Sequence, residues 1–192
     1  VDKYFTGYRR KYSAKPVIIF HGSEPLIVKK ILFPSIARFG GKFHFGIQTN
    51  ASLLTEEDAE FLKLHKVSVG ISLDSFREET NSHTRKIPDG RSFDKAIQAI
   101  DWFSGYEGLS VITTITGYNV KDLPELVRFL HAKRVGCVLL NPVRATRKAV
   151  LKLRPDEGKL TDYFIKAVTE AARLSKGSEN RIIIGNFSNI IL

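Results

Sequence analysis

Sulfur-containing residues are scarce in this sequence: one residue of 192, Cys137, is a cysteine and none is a methionine. A single cysteine excludes a disulfide scaffold formed within the chain and is typical of a reducing compartment, so we expect a cytoplasmic protein. Because Cys137 lies in an apolar run, its thiol is expected to pack in the core. The histidines show no metal-ligand spacing, so no metal site is predicted from them.

Long apolar runs and an excess of acidic residues are also missing. No run approaches the roughly 20 residues that span a bilayer, and no signal-peptide pattern is present, so we expect no membrane partner. Thirty Lys and Arg against 20 Asp and Glu give a net charge of +10, which suits an anionic partner such as an acidic peptide, RNA or an anionic cofactor. Because the basic residues are dispersed, a solvated basic surface is the favoured alternative, also for the basic stretch 144–154.

An initiating methionine is absent, since the chain begins Val-Asp-Lys, and it ends in the apolar run Ile-Ile-Leu. We interpret both ends as cuts and expect a piece of a longer protein. The length suits a single domain over 1–192, in which 177–192 would lead into a C-terminal extension. No feature predicts the oligomeric state.

Apolar runs typical of strands alternate with amphipathic stretches typical of helices along the whole chain. Strands are predicted at 17–21, 43–50, 67–74, 109–116, 137–140 and 181–184. Helices are predicted at 1–13, from 26 to Pro34 or Gly40, from Thr55 as N-cap, and at 92–103, 119–133 and 159–175. Residues 75–91 are interpreted as a loop with a turn at 87–90. This alternation predicts an α/β fold with a parallel sheet.

Five predicted strands end in polar residues, at the edge where parallel sheets bind ligands. The first strand ends in Gly22-Ser23-Glu24-Pro25, where glycine permits close approach to the backbone and Glu24 offers a carboxylate to an amine. An ordinary strand-to-helix turn is the alternative for this segment. The other polar ends are Gln48-Thr49-Asn50, Ser72-Leu73-Asp74, Thr114 with Thr116, and Asn141-Pro142. A glycosidase using Glu24 and Asp74 is disfavoured, because the only tryptophan, Trp102, lies in a helix and offers no sugar platform.

Taken in order, these segments resemble the motifs of radical S-adenosylmethionine enzymes. Phe20-His21-Gly22-Ser23-Glu24-Pro25-Leu26 is similar to their Phe-x-Gly-Gly-Glu-Pro-Leu motif, and Gln48-Thr49-Asn50-Ala51 is similar to Gln-Thr-Asn-Gly. Val69-Gly70-Ile71-Ser72-Leu73-Asp74 resembles Val-x-Ile-Ser-Leu-Asp. The resemblance covers about residues 16 to 142 and is closest to the group with a SPASM or twitch extension, typified by anaerobic sulfatase-maturating enzymes.

The resemblance implies a parallel, partial (β/α)6 TIM-like barrel that lacks its first strand and cluster loop in this chain. It also implies a [4Fe–4S] cluster that cleaves S-adenosylmethionine reductively to a 5′-deoxyadenosyl radical, for modification of a peptide or protein. The family binds the cluster with a Cys-x3-Cys-x2-Cys motif, which this chain does not contain. One thiolate cannot hold such a cluster, so its ligands are expected upstream of Val1.

By position, the resemblance also implies which residues bind S-adenosylmethionine. The Gly22-Ser23-Glu24 turn would receive the methionine amino group, with Ser23 replacing a glycine of the motif. Ser72 and Asp74 would lie near the ribose, and Arg85 would pair with the methionine carboxylate, with Arg77 as its competitor. The cavity would be lined by Gln48, Asn50, Thr114, Thr116 and Asn119, and 140–143, beginning at Leu140, would pack by the adenine. Two alternatives remain open: a non-catalytic binding module on the same barrel, and an RNA-modifying radical enzyme.

Overall fold

The computed structural model describes residues 2–12, 14–85, 90–144 and 148–186. Strands alternate with helices throughout this part of the chain. The strands are β1 Val17–Phe20, β2 His44–Thr49, β3 Ser68–Ser72, β4 Leu109–Ile115, β5 Cys137–Pro142 and β6 Ile183–Ile184. The helices are α1 Asp2–Tyr12, α2 Lys29–Phe39, α3 Glu56–Leu64, α4 Glu78–Thr84, α5 Ser92–Trp102, α6 Leu123–Ala132, α7 Lys148–Leu151 and α8 Glu157–Ser175, with short 3-10 helices at Pro25–Val28 and Val120–Asp122.

The six strands form one sheet in the order β1-β2-β3-β4-β5-β6, and every neighbouring pair is parallel. The described strands leave the sheet open, with β1 and β6 at its two edges. This confirms the predicted α/β class and parallel sheet. Because consecutive strands run the same way, all carboxyl ends lie along one edge, which we call the carboxyl edge.

Alternate residues of each strand point to opposite faces of the sheet. Residues such as Val69, Ile71 and Val111 are buried against helix residues such as Leu62 and Ile100 and form the core. The strand register places the intervening residues together on the other face, which we call the open face. They are Val17, Ile19, His44, Gly46, Gln48, Ser68, Gly70, Ser72, Ser110, Ile112, Thr114, Cys137, Leu139 and Asn141.

Local chemistry explains where several helices begin. Thr55 caps α3, as predicted: its hydroxyl accepts from the Asp58 backbone N–H at 3.2 Å, and the Asp58 carboxylate accepts from the Thr55 N–H at 3.2 Å. Pro124 lies in the first turn of α6, where no N–H is required. None of the helices in the described part of the chain has the length and apolar character needed to cross a membrane.

The segment 75–91 was predicted as a loop, and this is wrong in part because α4 occupies Glu78–Thr84. The two-turn helix has no apolar periodicity, and its buried residue is the polar Asn81, so the hydrophobic pattern gave no signal for it. The predicted turn at 87–90 falls largely outside the described residues. Helix α2 runs through Pro34 to Phe39, so Gly40 and not Pro34 marks its end. Helix α7 lies within the stretch predicted as a basic loop.

Candidate functional site

The turn after β1 is held against the end of β2 by the carboxylate of Glu24. Its Oε1 accepts from the Thr49 hydroxyl at 2.7 Å and from the Leu26 backbone N–H at 3.2 Å, and its Oε2 accepts from the Asn50 N–H at 2.8 Å. Gly22 has a φ of 111°, a conformation that favours glycine. A carboxylate has about four acceptor positions, so Glu24 can accept one more hydrogen bond from a ligand.

The predicted residues near this turn do lie together at the carboxyl edge. Ser23 is exposed, and Gln48 and Asn50 are half-buried beside it. The Asn50 side chain accepts from the Ser52 N–H at 2.8 Å, which fixes the loop that follows β2. Ser72 and Thr114 lie further along the edge, on the open face of β3 and β4. These polar strand ends therefore share one edge, as the parallel order predicted, and their role as a binding site stays a prediction.

Asp74, just beyond β3, is buried at 2% exposure, and its carboxylate accepts three hydrogen bonds. Its Oδ1 accepts from Arg85 Nη2 at 2.8 Å and from the Thr114 N–H at 2.7 Å, and its Oδ2 accepts from the Thr84 hydroxyl at 2.6 Å. Its backbone N–H donates to Asn81 Oδ1 at 2.9 Å, and its carbonyl accepts from Asn119 Nδ2 at 2.6 Å. This geometry does not support the expected contact between Asp74 and a ribose, because the carboxylate is enclosed by protein groups.

Arg85 is placed at the carboxyl edge by that ion pair. Its side chain retains 21% exposure, and its Nη2 also lies 3.5 Å from the Ile112 carbonyl oxygen. Its Nε is buried and has no hydrogen-bond partner in the described part of the chain. The competitor, Arg77, is 60% exposed and lies 3.9 Å from Asp122, against the groove between α6 and α8. Of the two arginines, Arg85 is therefore the one that is bonded to Asp74 at the strand ends.

Thr116 and Asn119 were expected to line the cavity, and that prediction is wrong. They are 1% and 2% exposed. Asn119 Nδ2 donates to the carbonyls of Asp74 and Thr114 at 2.6 and 2.9 Å, and its Oδ1 accepts from the Thr116 N–H at 2.7 Å. Asn119 therefore joins the ends of β3 and β4 beneath the site. Asn81 and Thr84, which bond to Asp74, were not predicted, because both belong to the unpredicted helix α4.

Leu140 was expected to pack by the adenine, but its side chain is buried. Leu140 lies on the helix-covered face at 1% exposure, so its side chain cannot pack against a ligand on the open face. Its neighbours Leu139 and Asn141 have the opposite orientation and lie on the open face. The Leu140 backbone N–H donates to Asn186 Oδ1 at 2.7 Å, and Asn186 Nδ2 donates to Asn141 Oδ1 at 2.9 Å.

Cys137 is half-buried on the open face, whereas the sequence predicted a core position. Burial raises the pKa of its thiol, and a hydrogen bond with the Gly185 backbone opposes that shift. It begins β5 and so lies away from the carboxyl edge. Within the described ranges, no three His, Cys, Asp or Glu side chains are grouped closely enough to hold a metal ion. The residues described here therefore do not fit an iron–sulfur cluster.

Two cavities in the described part of the chain lie away from this row of residues. One of about 630 Å³ lies between α6 and α8, and another of about 870 Å³ lies beside Arg134 and Arg181, at the opposite edge of the sheet. Neither is lined by Glu24, Asp74 or Arg85. We give the carboxyl edge more weight, because an open sheet leaves its strand ends uncovered and ligands of parallel sheets bind there.

Comparison with known proteins identifies the chain's family. Residues 6–130 match the radical SAM superfamily. The chain belongs to this superfamily. The predicted resemblance to radical S-adenosylmethionine enzymes is thereby confirmed, and so is the likeness to sulfatase-maturating enzymes, which appear among the relatives below.

Three relatives illustrate the range of the superfamily. An uncharacterized protein of Archaeoglobus fulgidus is 47% identical over 176 residues, covering 91% of this chain and 40% of that protein. The Fe-coproporphyrin III synthase of Methanosarcina barkeri is 34% identical over 125 residues, covering 62% and 30%. The cysteine-type anaerobic sulfatase-maturating enzyme of Clostridium perfringens is 24% identical over 122 residues, covering 59% and 33%. The chain thus spans less than half the length of these relatives.

Among solved structures, native anSMEcpe with bound AdoMet and the Kp18Cys peptide has the same fold. The TM-score is 0.76 at 20% identity, over 90% of this chain and 50% of that one. The predicted partial-barrel fold is therefore confirmed. The relatives include a maturase and a porphyrin-related synthase, so superfamily membership alone leaves the substrate open.

Proposed function

We propose that the carboxyl edge of β1 to β4 binds S-adenosylmethionine, and that the whole protein uses it for radical modification of a peptide. The observation that carries this proposal is the placement of the Arg85 guanidinium. The guanidinium is held at the strand ends by Asp74 at 2.8 Å and retains partial exposure, and its Nε has no hydrogen-bond partner in the described part of the chain. A planar guanidinium suits the carboxylate of an amino-acid ligand.

The other groups at this edge suit the rest of the molecule. The methionine amine would donate to Glu24 and approach the backbone at Gly22 and Ser23, where no side chain adds bulk at the glycine. The Ser72 hydroxyl would bond the ribose. The adenine would lie by Leu139 and Asn141, which face the open side of the sheet. This assignment departs from the expected positions at four buried residues: Asp74, Thr116, Asn119 and Leu140.

Reductive cleavage of bound S-adenosylmethionine supplies a 5′-deoxyadenosyl radical that abstracts a hydrogen atom from a substrate. The cluster required for that cleavage does not fit the described residues, and its cysteines are proposed to lie upstream of Val1. The role of this chain is to bind and orient the cofactor. A peptide substrate is supported by the peptide bound to anSMEcpe, whose fold the chain shares.

The binding part of the proposal is tested by calorimetric titration of S-adenosylmethionine into the chain. Wild type should bind, and Arg85→Gln should bind at least about tenfold more weakly, because it loses a charge-assisted contact with the carboxylate. Arg173→Gln is the matched control, since Arg173 pairs with Glu170 on the surface of α8, and it should bind like wild type. No binding by folded wild-type chain would overturn the proposal.

The catalytic part is tested with the whole protein, purified and reconstituted with iron and sulfide without oxygen. With dithionite it should release 5′-deoxyadenosine and methionine, measured by chromatography and mass spectrometry, and Arg85→Gln should release much less. A protein that binds S-adenosylmethionine but takes up no iron and releases no 5′-deoxyadenosine would be a non-catalytic binding module.

A further inference from the structure

Asp74 links four elements at the carboxyl edge. It follows β3, and its polar atoms bond to residues of three other elements. These partners are Asn81 within α4 and Arg85 just after it, Thr114 in β4, and Asn119 before α6. Each of these distances lies between 2.6 and 2.9 Å. The carboxylate is therefore fixed from several directions, and its place leaves no room for a ligand.

The same bonds fix Arg85 in turn. Its Nη2 lies 2.8 Å from Asp74 Oδ1, and its carbonyl accepts from the Ser92 hydroxyl at 2.7 Å. A long arginine side chain otherwise samples many rotamers, and ordering it for a ligand costs conformational entropy. A buried, hydrogen-bonded carboxylate removes that cost in advance, because charge-assisted pairs are the stronger hydrogen bonds.

We propose that Asp74 is the positioning residue that orients Arg85 toward the carboxylate of S-adenosylmethionine, without touching the ligand itself. This inference rests on the proposed function of the carboxyl edge. It replaces the ribose contact expected for Asp74 from the sequence. It predicts that Asp74 contributes to affinity only through Arg85, and only for a ligand that carries a carboxylate.

The Asp74→Asn variant separates positioning from folding, because asparagine has the same shape. Its Oδ1 can still accept from Arg85 and from the Thr114 N–H. Its Nδ2 can donate to the Thr84 hydroxyl, which can turn its own hydrogen toward the Asn81 carbonyl oxygen at 3.3 Å. The variant therefore removes the charge that holds Arg85 and keeps the hydrogen-bond pattern of the network.

The test is a double-mutant cycle on the chain, read by titration with S-adenosylmethionine and with its decarboxylated analogue. We expect Asp74→Asn to weaken S-adenosylmethionine binding about fivefold or more in the wild-type background, and by less than about twofold in an Arg85→Gln background. For the decarboxylated analogue, all variants should bind within about twofold of wild type. Asp101→Asn, at the exposed Asp101–Lys133 pair, is the matched control and should change neither affinity.

The outcomes separate the two claims. If wild type binds neither ligand, the proposed function fails. Two results would overturn the positioning role if wild type binds S-adenosylmethionine. In the first, Asp74→Asn lowers the affinity for both ligands equally; in the second, it lowers the affinity by the same factor in the Arg85→Gln background. Either result would mean that Asp74 contacts the ligand directly or acts only on folding. No effect of Asp74→Asn overturns it as well.

Circular dichroism will show whether Asp74→Asn folds. If it does not, Thr84→Val takes its place, because it removes the hydroxyl that donates to Asp74 Oδ2 at 2.6 Å. That variant should bind S-adenosylmethionine about threefold more weakly and the decarboxylated analogue as wild type does. Equal losses for both ligands would again contradict a positioning role.

Discussion

Replacing Asn119 with alanine should destabilise the chain strongly, although the residue lies in a loop. Its buried amide makes short hydrogen bonds to the carbonyls of Asp74 and Thr114 and to the N–H of Thr116. Alanine leaves these three backbone groups without that partner, and each buried group left unsatisfied costs about 1–3 kcal/mol. Some of the loss will be recovered by water, so we expect a decrease in unfolding free energy of about 3–5 kcal/mol.

The loss is measured by urea denaturation followed by circular dichroism. Asn141→Ala is the matched control, because Asn141 is exposed and its side chain accepts a single bond from Asn186; it should cost less than about 1 kcal/mol. Asn119→Asp should destabilise at least as much as Asn119→Ala, since it places a carboxylate oxygen against two carbonyl oxygens. A decrease below about 1 kcal/mol for Asn119→Ala would refute the view that this amide holds β3 and β4 together.

Two further predictions concern the turn after β1 and the surface of α8. Gly22→Ala should destabilise the chain by about 1–3 kcal/mol in the same assay, because the φ of Gly22 is 111°, although no atom lies within 4 Å of an added Cβ. Gly41→Ala is the control, since an added Cβ there also meets no atom within 4 Å, and it should be nearly neutral. Equal effects of the two substitutions would contradict a backbone cause. The pKa of Glu170 is lowered to about 2 by hydrogen bonds from Arg173 and Arg128, against the opposing effect of burial. Its stabilising contribution is therefore present above its ordinary pKa of 4.5 and lost as pH falls toward 2. Between about pH 5 and about pH 3, the unfolding free energy of Glu170→Gln should therefore fall by less than that of wild type. Equal decreases in the two proteins would contradict a stabilising role of the ionised Glu170.

The sheet could be predicted from the sequence because each strand carries its own signal. Runs such as 67–74 and 109–116 are apolar and β-branched, and they alternate with amphipathic stretches such as 92–103 and 119–133, so the parallel order follows from local pattern. Helix α4 could not be predicted this way. Its residues are polar, and it is fixed by tertiary contacts of Asn81 and Thr84 with Asp74, which no local periodicity reveals.

The sequence indicated where the candidate site lies more clearly than the role of each residue in it. Polar residues at the strand ends indicated the carboxyl edge, and Glu24, Gln48, Ser72 and Arg85 all lie there. The sequence could not show that Asp74 is enclosed, because that depends on α4 and on the β3–β4 register. The burial of Leu140 has a simpler cause: neighbouring residues of a strand face opposite sides, and the motif did not show which of them the helices cover.

The central claim is that Arg85, held by Asp74, binds the carboxylate of S-adenosylmethionine at the carboxyl edge. The most direct measurement is a crystal structure of the chain grown with S-adenosylmethionine. The account predicts a ligand carboxylate within about 3 Å of the Arg85 guanidinium, with the Asp74–Arg85 pair intact and no contact between Asp74 and the ribose. A ligand bound away from Arg85, or a ribose hydroxyl bonded to Asp74, would contradict it.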